Sequence, residues 1–150
     1  MANGLNSIAR VEQLLGDYVA AERDYCEALR IAKLVNYHEG IPSYLGNLAG
    51  LALVQENWPV AEQFAREALP LAEQVGKQES IAHQCQRLAK SLAQQGCRVE
   101  GFAYAQRAVS IYAKLRSPHL AEAQAVLKEC EESSPPNPSP DLTSINQKKG

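Results

Sequence analysis

The sequence predicts an all-α fold, an α-solenoid of three helix-turn-helix repeats followed by a C-terminal capping helix. Three observations carry this reading. Apolar residues recur at helical spacing, as in Leu5, Ile8, Val11 and Leu15. A shift of forty residues superposes LGDYVAAERDYCEALRIAK, from Leu15, on QENWPVAEQFAREALPLAE, from Gln55, and on QGCRVEGFAYAQRAVSIYA, from Gln95. The composition, 45% apolar with only 6% aromatic and rich in Ala, Leu, Gln and Glu, suits helices better than a sheet.

The elements follow in order. The first helix spans about 3–15 and ends at Gly16-Asp17; the second, about 18–35, presents Ala21, Tyr25, Ala28, Leu29 and Ala32 on one face. Pro42 opens the third, about 41–55, which Glu56-Asn57 interrupts. Pro59 lies in the first turn of the fourth, about 58–75, where its missing N–H costs nothing, with Asn57 or Trp58 as the cap. Pro70 falls inside that helix and predicts a kink, because its ring clashes with the carbonyl of Arg66. The fifth and sixth span about 79–95 and 98–116, divided by Gly96-Cys97. HLAEAQAVLKECEE then reads as one amphipathic helix that covers the last apolar face.

The expected organisation is a domain over 1–132, with repeats at about 3–40, 41–80 and 81–118 and the capping helix at about 118–132. Residues 133–150 hold half of the chain's eight prolines and read as a disordered Pro-rich tail. Small residues keep the forty-residue register: Ala9, Ala49 and Ala89; Ala21, Ala61 and Gly101; Ala28, Ala68 and Ala108. Large ones keep it too and should form the core: Ile8, Leu48 and Leu88; Leu29, Leu69 and Val109; Ile31, Leu71 and Ile111. Ahead of residue 3 no cap is evident, so the first helix should show an apolar face, to be covered either by further repeats or by a second copy of the chain.

The Gly16-Asp17-Tyr18 turn, Ala21, Tyr25 and Ala28-Leu29, with Asn57-Trp58, Ala61 and Ala68-Leu69 in the second copy, resemble the second half of the tetratricopeptide-repeat motif. The third copy departs, with Cys97-Arg98 for the Asp-Tyr pair and Gly101 for the alanine. Forty residues per unit, against about thirty-four in the common form, is similar to the long-helix variant of kinesin light chains and of bacterial arrays that follow NB-ARC or STAND nucleotide switches. The resemblance implies a right-handed solenoid, a non-catalytic scaffold for protein or peptide binding, and a place at the sensor or recruiting end of a larger signalling protein. No G-x-x-x-x-G-K-[ST] phosphate loop occurs in the chain.

Little in the sequence points to catalysis, so no enzyme activity, cofactor or metal is expected. None of His38, His83 and His119 stands in a nucleophile context, and His38 and His119 read as solvated turn residues. The four cysteines lie too far apart for a C-x-x-C motif and read as free thiols, which favours a reducing, cytoplasmic setting. Cys26, Cys85 and Cys130 read as packing residues, and Cys97, beside Arg98, has the setting that favours reactivity. A net charge of −2 offers nothing to attract nucleic acid or an anionic membrane, and the apolar run at 48–54 is far short of the ~20 residues of a membrane span.

What remains is a surface. The first helix of each repeat should line the concave side, placing Asn6, Arg10, Asn47, Gly50, His83, Arg87 and Lys90 in a groove without carboxylates. Arg10, Arg87 and Lys90 would make it mildly basic and suited to an acidic or carboxylate-bearing segment. The resemblance implies that Asn47 and Arg87 stand where some members clamp a peptide carboxylate, although Asn6, Arg10 and His83 depart from that set. Gly46 and Gly50 would either admit a close-approaching chain or serve helix packing. Two alternatives stand beside this: a regulator that inserts Gln13, Gln86 or Gln94 into a partner's active site, and a module that homodimerises through its N-terminal face.

Overall fold

A computed structural model describes residues 1–132. These residues form seven helices: α1 (Ala2–Leu14), α2 (Tyr18–Leu34), α3 (Ile41–Val54), α4 (Trp58–Val75), α5 (Gln78–Gln94), α6 (Arg98–Leu115) and α7 (Leu120–Glu132). The helices agree with the sequence-based ranges to within one or two residues. α1 with α2, α3 with α4 and α5 with α6 make three antiparallel hairpins, each packed on the next, and α7 lies across α5 and α6. α3 also touches α5, and α5 touches α7, so the odd-numbered helices form one layer of the solenoid. The Pro-rich tail lies outside the described residues.

Turn chemistry explains the regular spacing. Within the hairpins Gly16, Glu56 and Gly96 adopt positive φ (85°, 57° and 83°); between hairpins Asn36, Gly76 and Arg116 do the same (56°, 79° and 51°). Both sets recur every forty residues. Each intra-hairpin turn closes with the same bond, from Asp17 N to Glu12 O, Asn57 N to Ala52 O and Cys97 N to Leu92 O, which satisfies a carbonyl that the helix end leaves free. Asp17 adds a side-chain cap by accepting from Ala20 N at 3.1 Å. Asn57 occupies the equivalent cap position, but its side chain makes no capping bond.

The alanine ladder lies where the helices cross. Ala9, Ala49, Ala89, Ala21, Ala61, Ala28, Ala68 and Ala108 are all fully buried, and Gly101 takes the same role with Ala89 O only 3.1 Å from where its Cβ would stand. Between these close contacts Tyr25, Tyr44, Tyr112, Leu45, Leu51, Leu88 and Leu92 fill the interior, each large apolar side chain contributing roughly 1.5–3 kcal/mol by leaving water. The proposed core positions Leu48, Leu69 and Leu88 are buried, whereas Leu29, Ile31, Leu71, Val109 and Ile111 are half-buried.

One expectation needs correcting. Ile8, assigned to the core by register, is 51% exposed, and Val11 and Leu15 are open as well. The register marks a position that a preceding helix would cover, and among the described residues α1 has no helix on that side. Helix α4 runs from Trp58 to Val75 with Pro70 inside it, over the range expected from the sequence. Pro70 is exposed, so water can satisfy the carbonyl of Arg66 that loses its donor.

Candidate functional site: a concave groove floored by Arg87

The odd-numbered helices enclose a concave groove. Part of it is a cavity of about 450 Å3 lined by α1, α3, α5 and the turn before α7, including Asn6, Arg10, Asn47, His83 and Arg87. A shallower extension of about 190 Å3 continues past Gly50 and Gln13. Six of the seven residues chosen from the sequence therefore line one continuous surface. Polar bridges hold its α1 wall: Asn47 Nδ2 donates to Asn6 Oδ1 at 2.8 Å, and the hydroxyl of Tyr44 donates to Asn3 Oδ1. Tyr25 closes the far end by donating to Gln13 Oε1 at 2.9 Å.

Lys90 is the seventh residue, and its role differs from the expectation. Its Nζ donates to both carboxylate oxygens of Glu129 on α7, at 2.9 and 2.8 Å. Gln94 donates to the same carboxylate. The charge of Lys90 is thus spent on fastening α7, a contact invisible in the sequence because the two residues are thirty-nine positions apart.

Arg87 forms the floor. A Cβ at position 46 would stand 2.7 Å from its Nη1, and one at position 50 would stand 3.5 Å from its Nε. The two glycines of α3 therefore make room for the guanidinium, and for Gln84, whose amide would lie 2.5 Å from a Cβ at 46 and donates to Pro42 O at 3.4 Å. Gly46 is covered from within, which favours helix packing as its role, whereas Gly50 is half-buried and lines the shallower extension of the groove. Among the described residues neither Arg87 nor Arg10 has an ion-pair or hydrogen-bond partner. Burial lowers the pKa of Arg87, with Tyr112 and Tyr25 acting in the opposite sense. The guanidinium stays charged, and Arg87 is half-buried at the groove floor.

The sequence missed the end of the groove nearest α7. Lys77, Glu79, Ser80, Gln84 and His119 line it too, so the groove does contain a carboxylate, that of Glu79. His119, expected to be a solvated turn residue, has its ring 5.0 Å from that of His83, and Tyr112 lies 5.7 and 5.8 Å from the two. His83 is held far below the usual imidazole range, at about 4, by burial first and then by the charges of Arg87, His119 and Lys77. It is neutral at pH 7. His83 thus adds nothing to the positive charge of the groove, which rests on Arg10, Arg87 and Lys77, opposed by Glu79. His38 is exposed elsewhere.

Other candidates are less well placed. Gln13 accepts from Tyr25, Gln94 binds Glu129, and Gln86 turns its carbonyl oxygen inward, so none is presented for insertion into a partner. Cys85 and Cys130 are buried as expected; Cys26 is exposed, contrary to its assignment as a packing residue, and Cys97 is exposed at the cap of α6. Among the described residues no helix is long and apolar enough to cross a membrane.

Residues 1–74 match the family model described as tetratricopeptide repeat. The match stops before the third unit, where Cys97-Arg98 and Gly101 depart from the motif. No curated protein matches the chain in sequence. Among solved structures, the crystal structure of BtubC (BKLC) from P. vanneervenii is similar, with a TM-score of 0.74 at 22% identity, covering 88% of this chain and 55% of that one. The chain thus spans about half the length of that structure, and at this identity the likeness is one of fold.

Proposed function

From the premise that the chain belongs to the tetratricopeptide-repeat family, whose repeats serve in general as protein-interaction scaffolds, we propose that it is a non-catalytic module whose groove takes an acidic or carboxylate-bearing segment of a protein. The supporting observation is Arg87, a half-buried cation with no acceptor among the described residues, at the floor of the 450 Å3 cavity. An incoming carboxylate would supply that acceptor. Charge-assisted hydrogen bonds contribute about 1.5–3 kcal/mol each, with Arg10 as a second donor and the Asn6–Asn47 pair offering amides beside it. Two such cations with limited apolar contact imply binding of a lone peptide at about micromolar strength or weaker. The fit of such a module to the sensor or recruiting end of a larger cytoplasmic signalling protein rests on the resemblance.

An array of acidic, neutral and basic peptides, probed with the wild type and with Arg10→Gln/Arg87→Gln, tests this. Acidic peptides should be retained by the wild type and lost by the variant, while Lys90→Gln should behave as wild type. Equal retention by wild type and double variant would refute the reading.

A second reading concerns the flank of α1. Ile8, Val11, Leu14, Leu15 and Val19 are 51–85% exposed on and next to one helix, an apolar surface that suits a second copy of the chain. Sedimentation of the wild type beside Val11→Glu/Leu15→Glu decides it, since the wild type should show a concentration-dependent mass and the variant a monomer.

A further inference from the structure

Glu79 and His83 are four residues apart on α5 and so project from one face of that helix. His119 comes to them from the turn that precedes α7. Among the described residues these three are the group whose ligand atoms converge, with one carboxylate oxygen and one nitrogen from each imidazole all within 4.8 Å of one another. We propose that Glu79, His83 and His119 form a binding site for a divalent transition metal, of the zinc type, at the α7 end of the groove.

Two imidazoles and one carboxylate are the donor set of three-ligand zinc sites that keep a fourth position open. Bonds of about 2.0–2.1 Å in tetrahedral array put the donors roughly 3.3 Å apart, so the site has to contract by at most roughly 1.5 Å. Glu79 can make most of that movement, because it is exposed in the first turn of α5. His119 is anchored through its backbone, whose N–H donates to Ser117 Oγ at 3.1 Å and whose carbonyl accepts from Ala123 N at 3.1 Å. The ring of His83 is braced edge-on by Tyr112.

The surroundings agree. Tyr112 is fully buried beneath both imidazoles, and its hydroxyl has no hydrogen-bond partner among the described residues. The Tyr112 ring lies 5.7 and 5.8 Å from the two imidazoles, and a water on the metal would offer its hydroxyl a partner. Glu79 and Glu122 favour a cation here; Lys77 and Arg87 oppose it and set the affinity below that of a closed structural site. The bound ion would tie the turn before α7 to α5 and leave its open position facing the cavity that Arg87 floors. This inference does not depend on peptide binding.

The test is titration of the untagged, reduced chain with Zn2+ in competition with a chromophoric chelator, and with Co2+ followed by visible absorption. One ion should bind per chain, with the d–d bands of a low-symmetry nitrogen and oxygen site. Glu79→Gln and His119→Gln should each weaken binding about tenfold or more, and His38→Gln should leave it unchanged. Circular dichroism identifies variants that fail to fold, and Glu79→Gln, being exposed, serves if His119→Gln does. Unchanged affinity in the folded variants, a thiolate-to-cobalt charge-transfer band, or no saturable binding would overturn the proposal.

Discussion

A Cβ on Gly46 of α3 would stand 2.7 Å from Nη1 of Arg87 on α5, closer than side chains approach, whereas one on Gly50 would meet the same guanidinium at 3.5 Å, an ordinary contact. Two glycines one turn apart thus face one arginine with different clearances. Gly50→Ala should gain the helix propensity that alanine brings, about 0.5–1 kcal/mol. Gly46→Ala should be the less stable of the two by about 1 kcal/mol, because Gln84 is buried and cannot retreat freely. Urea denaturation of both variants checks the order; equal midpoints would mean that Arg87 does not rest on α3.

Acid should destabilise the fold through His83. Its pKa is about 4 in the folded chain against 6.5 for the free side chain, so between those values the unfolded chain holds more protons and stability falls as pH falls. The contribution is complete above about pH 6.5 and lost progressively toward pH 4; because His83 is only partly buried, solvent screening keeps it to about 1–2 kcal/mol. Denaturation curves at a series of pH values should show that slope, and His83→Gln should flatten it. A slope that persists in the variant would assign it to other groups.

Glu56 and Arg116 hold positive φ without being glycine. Such a conformation costs about 1 kcal/mol in a residue with a Cβ. Glu56→Gly and Arg116→Gly should therefore each raise stability by about 0.5–1 kcal/mol, the reverse of what glycine does elsewhere in a helical protein. Gly16→Ala should lower it by a similar amount. Thermal melts of the three variants would settle the matter, and a loss of stability in Glu56→Gly would contradict it.

Lys90 and Glu129 are each about one-third exposed, at 35% and 29%. Solvent screening then limits the pair to about 1 kcal/mol or less. Lys90→Gln should cost no more than that in a denaturation experiment, yet speed amide exchange in α7, since the bond is one that crosses to that helix. Protection of α7 identical to wild type would show that apolar contacts alone hold it.

The fold was legible because helix ends and crossings repeat. Gly16, Glu56 and Gly96 could be aligned by eye, and their shared left-handed turn follows from the residues around them, even where Glu56 itself gives no hint. The groove was legible in part: Asn6, Arg10, Asn47, His83 and Arg87 share a face by helical spacing alone. Lys90 with Glu129 and His83 with His119 were not, since their meeting depends on how far each hairpin rotates over the last, a quantity that no local pattern encodes. Ile8 shows the opposite error, where a pattern sound in the interior of an array was carried to a helix whose flank is open.

Wedged among α3, α4, α6 and α7, α5 gives the groove one stiff jaw. The facing jaw, α1, rests on α2, reaches α3 through the Asn3–Tyr44 and Asn6–Asn47 bridges, and has an open flank. A guest held by Arg87 would therefore meet a fixed anchor on one side and a compliant lever on the other, so that segments of differing girth could be accommodated by swinging the first hairpin while the anchor stays in register.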